Sequence, residues 1–259
     1  MKSSSSSENI MGYEVDKSGL MGCVKGMTEW IGKGDHCRWM ACINPYSYVV
    51  SLEDKMFSES LREADWLIPD GIGIVIASKF LKGGIQERVT GADVFFSLQN
   101  QFNRAGGHSV FFLGSTEETL AALSARMKND YPNLRLGGTY SPPYKPDFSK
   151  EDTDVMVAAI NKSGADVLWV GMTAPKQEKW IFKNRERLNV KFAGAIGAVF
   201  DFYTGKVKRA HPVFQKLGLE WLVRLVREPR RLWRRYLVSS PLFFWHLFLV
   251  MLWGSKSRD

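Results

Sequence analysis

The sequence predicts an α/β, Rossmann-like fold: a mostly parallel sheet with flanking helices, followed by a basic helical appendage. From Arg38 onward, short apolar runs alternate with segments of helical periodicity, which is typical of βα units that feed a parallel sheet. Several of these apolar runs end in glycine or in a small polar residue. After about Arg209 the acidic residues become rare and arginines accumulate among large apolar side chains, which predicts the appendage.

The predicted strands and helices alternate along the chain. Strands are predicted at Trp39–Ile43, Trp66–Pro69, Ser109–Leu113, Leu134–Gly138, Asp166–Val170 and Val190–Ile196. Helices are predicted at Val50–Ala64, Ile72–Leu81, Asp93–Arg104, Glu117–Asp130 and Glu151–Lys162, and a further helix opens within residues 174–180. Ligands of open parallel sheets bind at the carboxyl ends of the strands, so the residues that follow each strand are the candidates for function.

The chain divides into three predicted parts. Its 259 residues, 45% of them hydrophobic, can bury a substantial core. Residues 1–35 are predicted to be a flexible N-terminal tail and lead-in, because Met1 to Glu8 is a serine run without the apolar stretch of a signal peptide. Residues 36–210 form the α/β catalytic domain, and residues 211–259 form a helical, membrane-associating appendage.

Cysteine usage and net charge limit the classes of function. Cys23, Cys37 and Cys42 lack the spacing of a zinc site, and an odd number of cysteines fits a reducing cytoplasm. The four histidines have no metal-binding spacing, and no GxSxG motif occurs. The net charge of +8 and the pI near 9.3 indicate an anionic partner: nucleic acid, nucleotide phosphate or an acidic membrane surface.

Asp70 is the leading candidate for a catalytic group. It directly follows the predicted strand Trp66–Pro69, where it could cap the next helix, serve as a partly buried general base, or do both. Gly71-x-Gly73 is half of a dinucleotide fingerprint, with Glu87 at the distance of the acidic residue. A nicotinamide-dependent oxidoreductase is therefore an alternative hypothesis.

Other strand ends carry further candidate ligands. Lys176 and Gln177 begin a helix, where backbone amides favour the pyrophosphate of a substrate. Gly197 allows close backbone approach and Asp201 could accept hydrogen bonds from a base or ribose, although a packing glycine before a helix explains the same pattern. Asp152-Thr-Asp154 resembles a metal-binding DxD motif, but we interpret it as an acidic helix start, and no metal site is predicted.

The appendage is predicted to be a basic amphipathic helix with a kink at Pro229. Its arginines follow helical spacing at Arg224, Arg227, Arg231 and Arg234. The apolar run Leu242–Trp253 is about a dozen residues long, against the ~20 needed to span a bilayer, so we expect it to lie in the membrane interface. A core-packing terminal helix and a non-catalytic membrane adaptor remain alternatives, whereas the apolar side chains disfavour a nucleic-acid partner.

Eight ordered motifs together resemble one enzyme family. They are Asn44 after a strand, Ala64-Asp-Trp-Leu-Ile-Pro-Asp-Gly-Ile-Gly73, Glu87-Arg-Val-Thr-Gly-Ala-Asp93, Phe112-Leu-Gly114, Ala174-Pro-Lys-Gln-Glu-Lys-Trp180, Gly197-Ala-Val-Phe-Asp201, Gly205-Lys-Val-Lys-Arg-Ala210 and Leu217-Gly-Leu-Glu-Trp-Leu222. From Met40 to Trp245 the chain resembles the WecG/TagA/CpsF glycosyltransferases, which form glycosyltransferase family 26.

The resemblance implies a fold of the GT-E type and an inverting reaction that needs no metal and no cofactor. It implies transfer of a hexose or N-acetylhexosamine from a UDP-sugar donor to a polyprenyl-pyrophosphate-linked sugar in cell-surface polysaccharide biosynthesis. The expected location is cytoplasmic, peripheral on the inner face of the cell membrane. The expected partners are the two substrates and an anionic membrane surface, with no nucleic acid, and self-association is left open.

The resemblance also assigns roles to residues. Asp70 matches the catalytic base, Arg88 and Gln177 match active-site polar residues, and Asp201 matches a uridine contact. The remaining substrate-binding candidates come from the motifs and from the appendage: Cys42, Asn44, Gly114, Lys176, Gly197, Arg224, Arg231 and Arg234. The three arginines match groups expected to reach the pyrophosphate. At Cys42 many members have threonine, and a thiol is a weaker hydrogen-bond donor.

Overall fold

The computed structural model of the chain describes residues 6–208, 210–211, 213–214 and 218–254. The side chains of Arg231, Trp253 and Gly254 also lie outside the described part. The described residues form a six-stranded sheet with helices on both faces, a two-stranded hairpin and a helical C-terminal segment. The predicted α/β, Rossmann-like class with a helical appendage is therefore confirmed.

Six strands form one parallel sheet and two more form a separate antiparallel hairpin. In spatial order the sheet contains β4 (Trp66–Pro69), β3 (Arg38–Ile43), β8 (Phe192–Ala195), β7 (Val167–Gly171), β5 (Ser109–Gly114) and β6 (Arg135–Tyr140). The hairpin contains β1 (Ser7–Ile10) and β2 (Tyr13–Asp16). Because every pair in the larger sheet is parallel, the carboxyl ends of all six strands lie along one edge, the carboxyl edge.

Helices fill the connections between the strands. They are α1 (Gly19–Lys33), α2 (Pro45–Glu53), α3 (Lys55–Glu63), α4 (Ile72–Phe80), α5 (Gly91–Ala105), α6 (Glu117–Asp130), α7 (Lys150–Ser163), α8 (Lys176–Asn184) and α9 (Val199–Thr204). The C-terminal segment adds α10 (Glu220–Arg227), α11 (Pro229–Trp233), a π-helix (Arg234–Val238) and α12 (Ser239–Gly254). We call residues 218–254 the tail.

The sheet is covered on both faces. Every residue of β5 and of β7 is buried, as expected for parallel strands between two layers of helices. Adjacent residues of β5 and of β7 contribute to two different hydrophobic clusters: Phe111 and Leu168 belong to the first, while Phe112 and Trp169 belong to the second. The alternation of side chains along a strand places these clusters on opposite faces of the sheet.

From Ser7 onward, the segment predicted as the N-terminal tail and lead-in, residues 1–35, forms the hairpin and α1. The hairpin buries Tyr13 and Val15, and the Tyr13 hydroxyl lies 2.7 Å from Ser51 Oγ and 2.9 Å from Ser58 Oγ. The hairpin and α1 are held by contacts with distant parts of the chain, which local composition does not reveal. Residues 1–5 lie outside the described part.

The predicted helix Val50–Ala64 is in fact two helices, α2 and α3, that meet at Asp54. Asp54 Oδ1 accepts a hydrogen bond from the Phe57 backbone amide at 2.9 Å, which caps α3. Its other oxygen forms an ion pair with Lys179 Nζ at 2.8 Å. A capping aspartate within a helical pattern therefore ends one helix and starts another.

The tail is less regular than predicted, and its apolar helix is longer. The expected kink is present: α10 ends at Arg227, the capping residue Glu228 has a φ of −133°, and Pro229 begins α11. The arginines consequently do not share one continuous helical stripe. The helix Arg234–Leu252 has 19 residues and a mean hydropathy of 1.4, so by length and composition alone it could cross a membrane. The predicted run from Leu242 was shorter because it left out the π-helix.

The last helix of the tail docks on the sheet domain through one face. Phe243 and Leu247 are buried, and the Phe243 ring packs edge-on against Tyr48 of α2 with centroids 5.3 Å apart. Trp245 and Phe248 on the same helix are about half exposed. The tail is therefore held by apolar packing on α2, while other large side chains of α12 lie at the surface.

We expect Phe243→Ala to release the tail, because truncating a buried phenylalanine costs about 3–5 kcal/mol. Hydrogen exchange of the tail amides should become faster, with little change in the amides of β5 and β7. Phe248→Ala removes the same group from an exposed position and serves as the control. Unchanged tail protection in Phe243→Ala would contradict this docking.

Candidate active site

The candidate site lies at the carboxyl edge of the sheet, where the turns after four neighbouring strands meet. Asn44 follows β3, Asp70 follows β4, Gln177 opens α8 after β7, and Gly197 follows β8. These four strands are consecutive in the sheet order. The sequence predicted all four residues as site residues, and the parallel topology places them along one edge.

Asn44 connects a helix cap to Asp70. Its Oδ1 accepts the Ser47 backbone amide at 3.0 Å, which caps α2 and fixes the orientation of the side-chain amide. Its Nδ2 then donates to Asp70 Oδ2 at 3.3 Å. The Asp70 backbone amide donates to the Ile43 carbonyl at 2.8 Å, which continues the pairing of β4 with β3. The position of the Asp70 carboxyl is therefore set by the ends of two strands.

Opposing effects act on the Asp70 carboxyl. Burial raises its pKa above the ordinary aspartate value, while the nearby Arg235 guanidinium, the Asn44 hydrogen bond, Arg88 and Arg224 all lower it. The net direction is upward, because burial penalises the charged form most strongly. A carboxylate with a raised pKa is a stronger base, which suits proton abstraction from a hydroxyl group.

Arg88 reaches the site from the loop between α4 and α5. The neighbouring Val89 amide donates to the Pro69 carbonyl at 2.9 Å, which fixes the loop beside Asp70. Arg88 Nη1 lies 3.6 Å from Glu220 Oε2 of the tail, and both side chains are mostly buried. Arg88 therefore connects the sheet domain with the tail as well as lying near the candidate base.

Gln177 connects two turns through hydrogen bonds. Its Oε1 accepts the backbone amides of Gly197 at 3.0 Å and Met172 at 3.3 Å, and thus connects the turns after β8 and β7. Its Nε2 donates to Glu178 Oε1 at 2.8 Å. Gly197 has a φ of +59°, a conformation that favours glycine. Gln177 and Gly197 are thus hydrogen-bonded to each other at the predicted site.

Glu178 is a site residue that the sequence reasoning missed. It is only 2% exposed, and burial raises the pKa of its carboxyl from 4.5 to about 7. Its Oε1 accepts from Gln177, whereas its Oε2 is buried without a hydrogen-bond partner in the described structure. An acidic residue in the first turn of a helix is common on exposed surfaces, so local residue patterns do not predict this burial.

Cys42 lies among these groups near the end of β3. Its Sγ is 3.8 Å from the Ala195 carbonyl oxygen of β8. Burial raises the pKa of this thiol well above its ordinary value, and the Asp70 and Glu178 carboxyls raise it further. A thiol in this environment stays protonated and acts as a weak donor.

Two predicted substrate-binding residues make other contacts. The Lys176 ammonium lies 3.6 Å from the Phe148 ring centroid and donates to the Lys145 carbonyl, so it faces the loop between β6 and α7. Gly114 has a φ of +116°, and a Cβ there would lie 2.5 Å from the Gly171 carbonyl oxygen. Gly114 is therefore needed for the close approach of two strand ends. Asp201 lies half-buried in the first turn of α9.

The tail arginines differ in their placement. Arg224 lies 5.5 Å from the Phe202 ring centroid, and its Nε is buried without a partner among the described residues. Arg234 is exposed and stacks on Trp233, while the side chain of Arg231 lies outside the described part. Arg235, which sequence reasoning missed, acts on Asp70 and lies 4.8 Å from the Tyr46 ring centroid.

Sequence features proposed for metal or dinucleotide binding have structural roles. Asp152 forms a capping box with Ser149 and an ion pair with Lys145, which confirms its interpretation as part of a helix start. Asp154 pairs with Arg187. Within residues 6–208 and the shorter described stretches that follow, no three histidine, cysteine or acidic residues group as metal ligands. A Cβ on Gly73 would clash with Pro45, so this glycine allows α4 to pack on α2.

The fold and site define an α/β enzyme whose candidate base lies among guanidinium groups suited to an anionic substrate. Residues 8–257 match the sequence model of the glycosyl transferase WecG/TagA/CpsF family. The match covers nearly the whole chain, so the protein belongs to this family and is a glycosyltransferase. The family resemblance expected from the motifs is confirmed, and the oxidoreductase and adaptor alternatives are wrong.

Three curated relatives share one name, N-acetylglucosaminyldiphosphoundecaprenol N-acetyl-beta-D-mannosaminyltransferase. The protein of Bacillus spizizenii is 34% identical over 77% of this chain and 74% of its own length. That of Bacillus subtilis is 29% identical over 79% and 76%, respectively. The protein of Staphylococcus aureus strain MW2 is 24% identical over 95% of this chain and 94% of its own length.

Replacing Glu178 by glutamine should change the pH dependence of the free energy of unfolding. The pKa of Glu178 is 4.5 ordinarily and about 7 in the folded protein, so the unfolded chain ionises first. As pH rises through this window, the parent loses about 3 kcal/mol of unfolding free energy, at ~1.4 kcal/mol for each tenfold change in proton affinity. Glu178→Gln lacks this loss. Urea unfolding should therefore show that its free energy of unfolding, relative to that of the parent, increases from pH 4.5 to pH 8.

If the difference in unfolding free energy between Glu178→Gln and the parent is constant across this pH range, Glu178 does not titrate as a buried acid. Glu186→Gln, in the short helical turn after α8, is the control for removing a surface carboxylate. It should leave the pH dependence of stability close to that of the parent.

Proposed function

We propose that the enzyme transfers a hexose or N-acetylhexosamine from a UDP-sugar to a polyprenyl-pyrophosphate-linked sugar, with inversion and without a metal ion. The observation that carries the proposal is the partly buried Asp70 carboxyl with Arg88, Arg224 and Arg235 acting on it. The names of the relatives support N-acetylmannosamine as the sugar transferred and N-acetylglucosaminyl-diphosphoundecaprenol as the acceptor.

The proposed reaction is a single displacement. Asp70 takes the proton of an acceptor hydroxyl while that oxygen attacks the anomeric carbon of the donor. The new glycosidic bond forms as the bond from the anomeric carbon to the UDP oxygen breaks, and UDP leaves with the bonding electrons. Attack opposite the leaving group inverts the configuration. The raised pKa of Asp70 favours its acceptance of the proton.

The guanidinium groups are proposed to stabilise the departing diphosphate. Arg224 has a buried Nε that has no hydrogen-bond partner within the described part of the chain, and Arg235 and Arg88 are close enough to Asp70 to lower its pKa. Fixed cationic groups stabilise negative charge that develops in a transition state, and they can do so without a divalent cation. This arrangement supports the proposed metal independence.

The tail is proposed to hold the enzyme on the inner face of the cell membrane, where a polyprenyl acceptor would lie. It presents several large apolar side chains to solvent: Leu237, Val238, Trp245, Phe248, Val250, Met251 and Leu252. Exposed apolar surface of this kind on a helix beside basic residues favours a lipid interface. The helix also has the length to span a bilayer, so the mode of attachment needs a direct test.

Asp70→Asn should abolish transfer, because an amide keeps the shape of the side chain but cannot accept the proton. We expect a fall in kcat of at least about a hundredfold, within the range that general-base catalysis contributes. UDP release should be measured with UDP-N-acetylmannosamine, UDP-N-acetylglucosamine, UDP-glucose and UDP-galactose, in the presence of an N-acetylglucosaminyl-diphosphoundecaprenol analogue.

In the same assay, EDTA should leave the rate of the parent unchanged. Strong inhibition by EDTA that is reversed by a divalent cation would overturn metal independence. A rate for Asp70→Asn within a few-fold of the parent would overturn the assignment of the base, and no release from any UDP-sugar would overturn the proposed donor class.

Replacing Trp245 and Phe248 together by serine should weaken membrane binding, because both side chains are about half exposed on α12. Flotation with liposomes that contain phosphatidylglycerol should recover less of this variant than of the parent. Val155→Ser changes a side chain of similar exposure on α7 and is the control.

Extraction of parent-loaded liposomes with alkaline carbonate then distinguishes the two modes of attachment. Release by carbonate is the expected result for a helix lying in the interface, and resistance would instead indicate a spanning helix. Equal flotation of the variant and the parent would contradict the proposed membrane surface.

A further inference from the structure

Glu87 directly precedes the candidate site residue Arg88 and has no role in the reaction proposed above. Both lie in the loop between α4 and α5, residues 81–90, which we call the Arg88 loop. The end of this loop is fixed beside Asp70, because the Val89 amide donates to the Pro69 carbonyl at 2.9 Å. The position of the Arg88 guanidinium therefore also depends on what holds the part of the loop that precedes it.

The Glu87 carboxylate caps α1, a helix that lies far earlier in the chain. Its Oε1 accepts the backbone amide of Leu20, in the first turn of α1, at 2.9 Å. The first turn of α1 has no acidic residue of its own, and the hydroxyl of its N-cap residue Ser18 bonds to Asp16 instead. The free amides and the dipole of a helix N-terminus favour a carboxylate. Glu87 thus supplies a charge that α1 itself lacks.

Gly19 makes this contact possible. Its φ is +70°, a conformation that favours glycine, and a Cβ there would lie 2.5 Å from Glu87 Oε1. A larger residue would therefore displace the carboxylate from the Leu20 amide. The turn that begins α1 is shaped to admit a side chain from the Arg88 loop.

Hydrogen bonds hold the first part of the Arg88 loop more than apolar packing does. An open cavity of about 600 Å³ lies where residues 84–87 meet residues 16–19, and Ile85 is the one large apolar side chain among these described residues. The Gly84 amide donates to Glu8 Oε2 of β1, and the Ile85 amide donates to Ser78 Oγ at 3.1 Å. Because apolar contacts are few here, the loss of one acceptor should loosen the loop.

We propose that Glu87 is a positioning residue that anchors the Arg88 loop to the N-terminus of α1 and thereby sets the position of the Arg88 guanidinium at the carboxyl edge. The inference rests on the proposed function, because it concerns activity only if this edge is the active site. It gives the hairpin and α1 a role in that site. The anchored loop also contacts the tail, since Arg88 Nη1 lies 3.6 Å from Glu220 Oε2.

Steady-state kinetics of the full chain test whether Glu87 acts through Arg88. Glu87→Ala should lower kcat about fivefold, which is the factor that loss of a helix-capping acceptor typically removes from such a contact. Glu87→Gln retains an oxygen for the Leu20 amide and should recover most of the rate. In the Arg88→Ala background, Glu87→Ala should have no further effect, because no guanidinium is left to position.

Gly19→Ala tests the same contact from the side of α1. The added Cβ should displace the Glu87 carboxylate, so kcat should fall as in Glu87→Ala, and the double variant should be no slower than the slower single variant. Glu151→Ala is the matched control. It removes an exposed carboxylate from the first turn of α7, near β6 at the opposite end of the sheet from β4, and should leave kcat close to that of the parent.

Hydrogen exchange provides a readout that does not depend on turnover. Amides of residues 84–88 should exchange faster in Glu87→Ala and in Gly19→Ala, while those of β5 and β7 keep the protection of the parent. Unchanged exchange of residues 84–88 would show that Glu87 does not hold the loop. Faster exchange throughout the sheet would show that Glu87 stabilises the whole fold instead. Either result would overturn the inference.

The two readouts also separate this inference from the proposed function. If the parent transfers no sugar but Glu87→Ala still accelerates exchange of the Arg88 loop alone, the proposed reaction is wrong and the anchoring contact stands. If transfer occurs and Glu87→Ala lowers kcat equally in the parent and in Arg88→Ala, Glu87 does not act through Arg88 and the positioning role is wrong. A kcat of Glu87→Ala equal to that of the parent would also exclude this role.

Discussion

The burial of carboxyl groups among arginines at one sheet edge is the interaction on which the rest of the site depends. Parallel pairing brings the ends of β3 and β4 together, and the capped amide of Asn44 then orients the Asp70 carboxyl. Burial raises the pKa of this acid. The guanidinium groups of Arg88, Arg224 and Arg235 partly offset the effect, so Asp70 can be a stronger base than an exposed aspartate and still ionise.

Two of these three arginines come from the tail, so the electrostatics of the sheet edge depend on how the tail docks. Docking uses apolar packing of Phe243 on Tyr48 and the ion pair between Arg88 and Glu220. The apolar contact is insensitive to salt. The largely buried ion pair is strongly destabilised when either partner is removed. A tail that undocks would therefore change the charge around Asp70 as well as uncover the site.

The sequence was sufficient to predict the order of strands and helices in the sheet domain, because apolar runs and helical periodicity are local signals. The carboxyl-edge position of Asp70 and Asn44 followed from the same pattern. Features set by distant contacts were missed: the hairpin that buries Tyr13, the burial of Glu178 and the orientation of Arg235. Neither the side of the tail that faces the sheet nor a π-helix within it can be read from residue spacing, so the sequence pattern does not distinguish Arg234 from Arg235.

The same tail carries the apolar surface and the cations, and this combination constrains how a lipid-linked substrate could reach the site. Trp245 and Phe248 are exposed on α12, the helix that packs on α2. Arg235 lies in the π-helix directly before α12. A rigid helix of this length places these exposed side chains within a few turns of Arg235. If the apolar face enters a membrane, the diphosphate of an acceptor in that membrane would lie near the arginines, and only the glycan would need to reach the base.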